Sequence, residues 1–221
     1  MCPHSRQSLF VVRSSLLLTA NRQSLPMTTS TDSPHPYVVE RTTRETDIRL
    51  EIARGSGLAT ADTTQPFLDH MLATLARYAG LDLTIDARGD LKHHVIEDVA
   101  IVMGTALAGL ATPTVARYGE RTIPMDDALV QVALDVGGRP YYRGPLPSRL
   151  YDHWMRSFAD HARATVHVRV LRGRDRHHVV EAAFKALGLA IRDALVDGGG
   201  VLSTKGHVES NARARRSESS P

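Results

Sequence analysis

Two adjacent histidines followed by a glutamate occur twice in this chain of 221 residues. His93 and His94 precede Glu97 in the stretch HHVIED, and the arrangement returns 84 residues later in HHVVEA. The second copy contains the same three residue types: His177, His178 and Glu181. On a helix, residues four positions apart share a face, so the first histidine and the glutamate of each copy can bind one divalent ion. The second histidine is rotated by about 100° around the helix axis and is better placed for a different ion.

Further histidines precede each copy at a similar spacing. His70 lies 23 residues before the first doublet, and His153 lies 24 residues before the second. Imidazole and carboxylate groups without a competing thiol favour a borderline or hard metal such as manganese, iron or zinc. The repeat thus predicts six histidine and two glutamate ligands: His70, His93, His94, Glu97, His153, His177, His178 and Glu181. His161, and His167 on a predicted strand, are alternatives to His153.

A single His-His-x-x-Glu motif on an exposed helix commonly has no function. Its recurrence at equivalent positions of an internal repeat is what indicates a metal site. Shifting the second half back by 84 residues places Gly173 on Gly89, and the two doublets coincide without a gap.

The elements that must position these residues recur as well. The stretch PFLDHMLATLARYAG begins with proline, ends with glycine and has apolar residues at helical spacing. A long helix is predicted from each doublet onward, after the alternating strands LDLTIDARGD and ATVHVRVLRGRD. The prediction is an α+β fold of two βαβ-type halves, each a small sheet with helices packed on one face. The predicted boundaries are 37–124 and 125–207, with a disordered leader over 1–36 and a disordered tail over 208–221.

Composition limits the function classes. Hydrophobic residues make up 42 % and charged residues 23 %, which is ordinary for a soluble globular protein. The net charge of +3 comes largely from arginine-rich ends, so it does not indicate nucleic-acid binding, and no apolar run is long enough to predict a membrane span. The single cysteine, Cys2, excludes an intrachain disulfide and favours the cytoplasm. Residues 1–26 lack acidic side chains, as organelle transit peptides do, although a true start at Met27 is the simpler interpretation.

Several sequence blocks between residues 41 and 206 resemble imidazoleglycerol-phosphate dehydratase, an enzyme family of histidine biosynthesis. The matching blocks are RTTRET, FLDHML, HHVIED, RYG, PMDD, GGRP, HHVVEAAFKA and STKG. The resemblance implies two similar halves of the kind found in ribosomal protein S5 domain 2, assembled into a shell of 24 subunits. It also implies sites between subunits with two Mn²⁺ ions, each held by three histidines and one glutamate. The ligands that it implies are the eight residues selected by the repeat.

The resemblance further implies loss of water from D-erythro-imidazole glycerol phosphate to give imidazole acetol phosphate. Glu45 in RTTRET matches a glutamate that faces the substrate, and it is the candidate general acid and base. The implied substrate- and phosphate-binding residues are Gln65, Arg117, Arg139, Lys185, Ser203 and Lys205. Only Leu91 and Lys92 separate Gly89-Asp90 from the first doublet, a shorter connection than the family usually has.

Two other functions remain open from sequence alone. A metal-binding shell protein could keep the ligands and lose catalysis, but it would not need cations for a phosphate. A phosphotransfer enzyme of similar fold would need a glycine-rich loop before a helix, whereas DGGG follows one. The dehydratase interpretation therefore accounts for more of the sequence than either alternative.

Overall fold

The structure is a computed structural model, and it describes residues 36–200. Most of the predicted leader over 1–36 and the whole predicted tail over 208–221 lie outside the described residues, as do Ser203 and Lys205.

Residues 37–110 form a four-stranded sheet and two helices. The strands are β1 (Tyr37–Thr42), β2 (Thr46–Arg54), β3 (Ala59–Asp62) and β4 (Leu81–Gly89). The helices are α1 (Pro66–Ala79), which connects β3 to β4, and α2 (Lys92–Leu110), which follows β4. The spatial order is β1-β2-β4-β3, with β3 parallel to β4 and the other pairs antiparallel. The α1 helix starts at the proline and ends at Gly80, whose φ of 66° suits a glycine.

The second half repeats this arrangement. Its strands are β5 (Tyr118–Met125), β6 (Ala128–Asp135), β7 (Tyr141–Arg143) and β8 (Thr165–Arg172), in the order β5-β6-β8-β7. Its helices are α3 (Arg149–His161) and α4 (Arg176–Ala194). The α2 and α4 helices have 19 residues each and start 84 positions apart, so the predicted duplication and the α+β class are confirmed.

The junction between the halves differs from the predicted one. Strand β5 pairs with β6 along its whole length and belongs to the second sheet. The connection between the two halves therefore spans residues 111–117, whereas the predicted boundary lay between residues 124 and 125. The proline at position 124 interrupts the residue pattern by which a strand is predicted from sequence. A proline is tolerated in β5 because β5 is an edge strand.

The four helices lie between the two sheets. The helices α1 and α2 cover the first sheet and α3 and α4 the second, while α1 packs on α4 and α2 packs on α3. Strand β2 buries alternate residues toward the helices and exposes those between them, as expected for a sheet covered on one face. Trp154, Phe158 and Phe184 are fully buried where the helices meet. Because each helix contacts a helix of the other half, residues of both halves meet in the helical layer.

Two equivalent glycines allow this close helix packing. A methyl group at Gly104 on α2 would lie 2.5 Å from the carbonyl oxygen of Phe158 on α3. A methyl group at Gly188 on α4 would lie 2.8 Å from the carbonyl oxygen of Leu75 on α1. A side chain at either glycine would push the paired helices apart.

The α2 helix is long and apolar enough, by length and composition alone, to cross a membrane. More than half of that apolar window is buried inside the protein, against the first sheet and α3. Its apolar character is therefore explained by its place in the core.

Candidate metal centre

Three predicted ligands meet where α1 packs on α4. The Nε2 atom of His70 lies 3.3 Å from Oε2 of Glu181, and Nε2 of His177 lies 3.1 Å from the same oxygen. One ligand atom from each residue lies within 4.8 Å of the other two. Within residues 36–200 this is the single grouping of three such ligands at that distance. The two imidazoles converge on one carboxylate oxygen, an arrangement that can hold a metal ion.

The Glu181 carboxyl is buried yet ionised. Burial opposes the charged form, but hydrogen bonds from Lys185 and His70 outweigh it and hold the pKa of Glu181 below its usual value. The Lys185 Nζ atom lies 2.9 Å from Oε1 of Glu181, the oxygen that does not face the histidines. The Phe67 ring packs 5.0 Å from the His177 ring and closes one side of the cluster. A deprotonated carboxylate is the form that binds a cation.

A second, equivalent cluster lies where α2 packs on α3. The Nε2 atom of His153 lies 3.5 Å from Oε1 of Glu97. His93 precedes Glu97 by one helical turn, and its ring packs 4.1 Å from the ring of His94. In this cluster His153 and Glu97 are in contact, whereas the ring of His93 packs against His94.

Both clusters combine residues from the two halves of the chain. The helix histidine of the first half, His70, meets the glutamate of the second half, and the second-half His153 meets Glu97. This crossed pairing follows from the packing of α1 on α4 and of α2 on α3. Glu181 also contacts His177 of its own half, whereas His153 of that half contacts Glu97 instead.

The second histidine of the first doublet is directed toward the turn between β1 and β2. The Nδ1 atom of His94 lies 2.7 Å from Oδ1 of Asp90 and 3.6 Å from Oε2 of Glu45. The hydrogen bond to Asp90 raises the pKa of His94 above its usual value. Because Nδ1 donates to a carboxylate, Nε2 is the nitrogen left for a metal.

The second doublet likewise directs its second histidine toward a turn, the one between β5 and β6. The Nδ1 atom of His178 lies 2.7 Å from Oδ1 of Asp127, and its Nε2 lies 3.4 Å from Oδ2 of Asp126. The backbone N–H of Arg174 and the His178 ring lower the pKa of Asp127 to about 2. The rings of His177 and His178 are 5.9 Å apart and nearly perpendicular, and they contact different carboxylates. That the two histidines bind different ions stays a prediction.

Asp90 and Asp127 were not selected from the sequence. Asp127 occupies the position in the β5–β6 turn that Glu45 occupies in the β1–β2 turn. Thr43, two residues before Glu45, and Met125, two residues before Asp127, each pair with the first residue of the following strand. The offset between the turns is 82 residues, whereas the offset between the doublets is 84. An alignment that allowed two inserted residues would have found Asp127 as the counterpart of Glu45.

The predicted substrate residues have different surroundings. Arg117 donates from Nε and Nη2 to the Asp135 carboxylate at 2.8 and 3.2 Å, which fixes the plane of its guanidinium. Lys185 lies beside Glu181, as the helical spacing predicted. Arg139 is exposed, and Gln65 is the residue just before α1. The contacts of these side chains with a substrate stay a prediction.

The alternative histidine ligands lie away from both clusters. His167 is exposed on β8 between two buried valines, so its side chain points away from the helical layer. The Nδ1 atom of His161 lies 2.9 Å from the backbone oxygen of Ser157 at the end of α3. The geometry therefore favours His153 as the helix histidine of the second cluster.

Comparison with known proteins identifies the family of this chain. A family model described as imidazoleglycerol-phosphate dehydratase matches residues 63–191. The dehydratase from Caldivirga maquilingensis is 44 % identical over 189 residues, which cover 78 % of this chain and 98 % of that protein. The enzyme from Pyrobaculum calidifontis is 48 % identical over 182 residues, covering 75 % and 96 %. This chain belongs to the imidazoleglycerol-phosphate dehydratase family.

Solved structures of imidazoleglycerol-phosphate dehydratases share the fold. The structure from Pyrococcus furiosus superimposes with a TM-score of 0.69 at 40 % identity, covering 77 % of this chain and all of that chain. The structure from Staphylococcus aureus gives a TM-score of 0.66 at 34 % identity, covering 73 % and 99 %. The chain is thus a hydro-lyase of histidine biosynthesis, and its two histidine–glutamate clusters lie within a known dehydratase fold.

Proposed function

We propose that this dehydratase converts D-erythro-imidazole glycerol phosphate to imidazole acetol phosphate. The observation that carries the proposal is the cluster of His70, His177 and Glu181, in which ligands from both halves converge with Lys185 alongside. Such a cluster places a metal ligand set next to a cation able to bind a phosphate.

We propose two Mn²⁺ ions per site, held by the eight histidine and glutamate residues. The donor set fits, since it offers imidazole nitrogens and an ionised carboxylate and includes no thiol. Bound metal would act as a Lewis acid toward the imidazole ring of the substrate and would orient it.

Glu45 is the proposed general acid and base. Its carboxylate is exposed and lies 3.6 Å from the ring of His94, so it is at the edge of the ligand set and open to a substrate. In that position it can accept the proton that leaves the substrate carbon and pass it to the departing hydroxyl group, which leaves as water, and the enol that remains becomes the ketone as its hydroxyl proton moves to carbon. The phosphate would be bound by cations and a hydroxyl: Arg117, Arg139, Lys185, Ser203 and Lys205. Gln65, before α1, would line the same pocket.

We further propose that the complete sites form between subunits of a homo-oligomer, with 24 copies in the assembly. The support is that His94 and His178 are directed away from the glutamates of their own doublets, toward the β1–β2 and β5–β6 turns. Each chain would thus supply ligands to more than one site. The cytoplasm is the proposed location, in keeping with a small phosphorylated substrate.

The proposal is tested by removing and restoring the metal. The purified full chain would be stripped with a chelator, resupplied with Mn²⁺, and assayed for imidazole acetol phosphate. We expect no turnover from the stripped protein and turnover after Mn²⁺ is added. Bound Mn²⁺ without turnover would contradict the dehydratase proposal and favour a metal-binding shell protein.

The phosphate assignment needs a separate variant. Lys205→Ala should raise KM with little change in kcat, since the lysine would bind a part of the substrate that does not react. Arg169→Ala, an exposed cation on β8, serves as the matched control and should leave KM unchanged. An unchanged KM in the Lys205 variant would remove that residue from the phosphate site.

A further inference from the structure

We infer that Asp98 is a positioning residue for Glu45, acting through Arg41 and Thr46. The inference rests on the proposed function, because it takes Glu45 as the general acid and base. It concerns the residues that support the β1–β2 turn from inside the protein.

Asp98 connects α2 to both strands that flank this turn. It is only 8 % exposed, and its Oδ2 atom accepts a hydrogen bond from the hydroxyl of Thr46, the first residue of β2. Its Oδ1 atom lies 3.1 Å from Nε of Arg41 in β1, as an ion pair. Asp98 also follows His94 by one helical turn, so a single helix face carries the metal ligand and the anchor of the turn.

The turn itself is fixed at its backbone. The Thr43 hydroxyl accepts the N–H groups of Glu45 and Thr46, each at 3.0 Å. The N–H of Asp90 donates to the carbonyl oxygen of Glu45 at 3.0 Å. The Glu45 backbone is therefore held on both sides. Its side chain makes no hydrogen bond that the structure describes and approaches His94 only to 3.6 Å.

The second half of the chain provides an internal control. Because Arg41 pairs with Ile48 and Ile123 pairs with Val130, Ile123 occupies the place of the arginine. The other two residues of this set, Thr46 and Asp98, correspond to Ala128 and Ala182 in the second half. A methyl group at Gly89 would contact Thr46, and one at Gly173 would contact Ala128, which confirms the first of these correspondences. An entirely apolar set therefore supports the equivalent strand–turn–strand segment of the second half, in which the strands pair across the turn as they do in the first half, although Asp126 in that turn has a φ of 46°.

The polar set is thus not required by the fold. Burying a carboxylate is costly unless it is fully paired, and the second half shows that small apolar residues fill this place. What differs between the turns is the role of the side chain at the tip. Asp127 fixes its own turn by accepting N–H groups of Arg174 and Asp175 at 2.6 and 3.2 Å. Among residues 36–200 the Glu45 carboxylate accepts no such bonds, so its turn is supported from inside the protein and its carboxylate stays available.

The test replaces the anchor with the residues of the second half. The variant Arg41→Ile, Thr46→Ala, Asp98→Ala should fold and bind the same amount of Mn²⁺ as the wild-type protein. We expect kcat to fall by about 10- to 100-fold with KM nearly unchanged, because small displacements of a catalytic group have effects of this size. Hydrogen–deuterium exchange at the amides of Glu45 and Thr46 should rise, and this readout does not depend on activity.

A double-mutant cycle separates positioning from general destabilisation. In a Glu45→Gln background the same three substitutions should lower kcat by less than about twofold, since the group they position is already absent. A full additional loss, or a parallel loss of bound Mn²⁺, would overturn the inference, as would unchanged exchange at the turn. If the triple variant does not fold, Asp98→Asn replaces it, and retention of wild-type kcat and exchange would equally overturn the inference. A wild-type protein without turnover would refute the proposed function, whereas the exchange measurement would still decide the role of Asp98.

Discussion

The imidazole of His70 and the carboxylate of Glu181 lie 3.3 Å apart, although one residue belongs to each half of the chain. Their contact requires α1 to pack directly on α4, and the equivalent contact of His153 with Glu97 requires α2 to pack on α3. The ligand clusters therefore depend on how the halves face each other. A single half could not assemble either cluster.

Glu181→Gln should reduce the amount of bound metal. The substitution removes a buried anion that two histidines approach, and loss of a direct ligand should weaken affinity by at least about 100-fold. We also expect a smaller assembly if metal links the subunits. Metal content by atomic emission and assembly size by sedimentation would measure both effects. Glu40→Gln, an exposed residue of β1, should change neither, and full metal content in the Glu181 variant would contradict the ligand assignment.

Asp90→Asn and Asp127→Asn should each weaken metal binding by about 10- to 100-fold. Each aspartate lies 2.7 Å from Nδ1 of a doublet histidine and fixes which nitrogen faces outward. Titration of the stripped protein with Mn²⁺, followed by electron paramagnetic resonance, would give the affinities. Asp86→Asn, whose carboxylate pairs with Arg88 on the exposed face of β4, is the control. Wild-type affinity in both aspartate variants would show that these contacts do not orient the ligands.

The Asp127 carboxylate should make stability depend on acid pH. Its pKa is about 2 in the folded protein and 3.8 as an ordinary aspartate, so the ionised form favours folding. That contribution is complete above about pH 4 and is lost as the pH falls toward 2. Urea unfolding of metal-free Asp127→Asn should therefore show lower stability than wild type at pH 6, with the difference shrinking toward pH 3. A difference that stays constant over this range would argue against the pKa shift.

Gly104→Ala should loosen the packing of α2 on α3. The added methyl group would lie 2.5 Å from a backbone carbonyl oxygen, and such overpacking costs about 1–3 kcal/mol of unfolding free energy. Gly109→Ala in the same helix is the matched control, because its methyl group would meet the ring of Tyr37, which is partly exposed and can move. Denaturant unfolding should show a loss for the first variant and little change or a gain for the second. Equal stability of the two variants would show that the close approach is not limiting.

The sequence determined the elements and the ligand types. Helix α1 was predictable from apolar spacing and from the proline and glycine at its ends, and α4 from its apolar spacing, all of which are local signals. The repeat of the two doublets at an offset of 84 residues identified four histidines and two glutamates without any structure, and a histidine 23 or 24 residues before each doublet completed the predicted set. Strand β5 was harder to place, since Pro124 interrupts its pattern and its pairing with β6 is what defines it.

The tertiary structure decided which residues meet. The crossing of ligands between the halves depends on helix packing that two glycines permit, and packing between distant helices leaves no periodic signal in the chain. The carboxylates of Asp90 and Asp127 beside the doublets, and the Asp98 anchor beneath Glu45, likewise depend on turns and helices brought together by folding. Residue type and local spacing thus specify what chemistry the chain can do. The distances at which those residues act are set by contacts between parts of the chain that are remote in sequence.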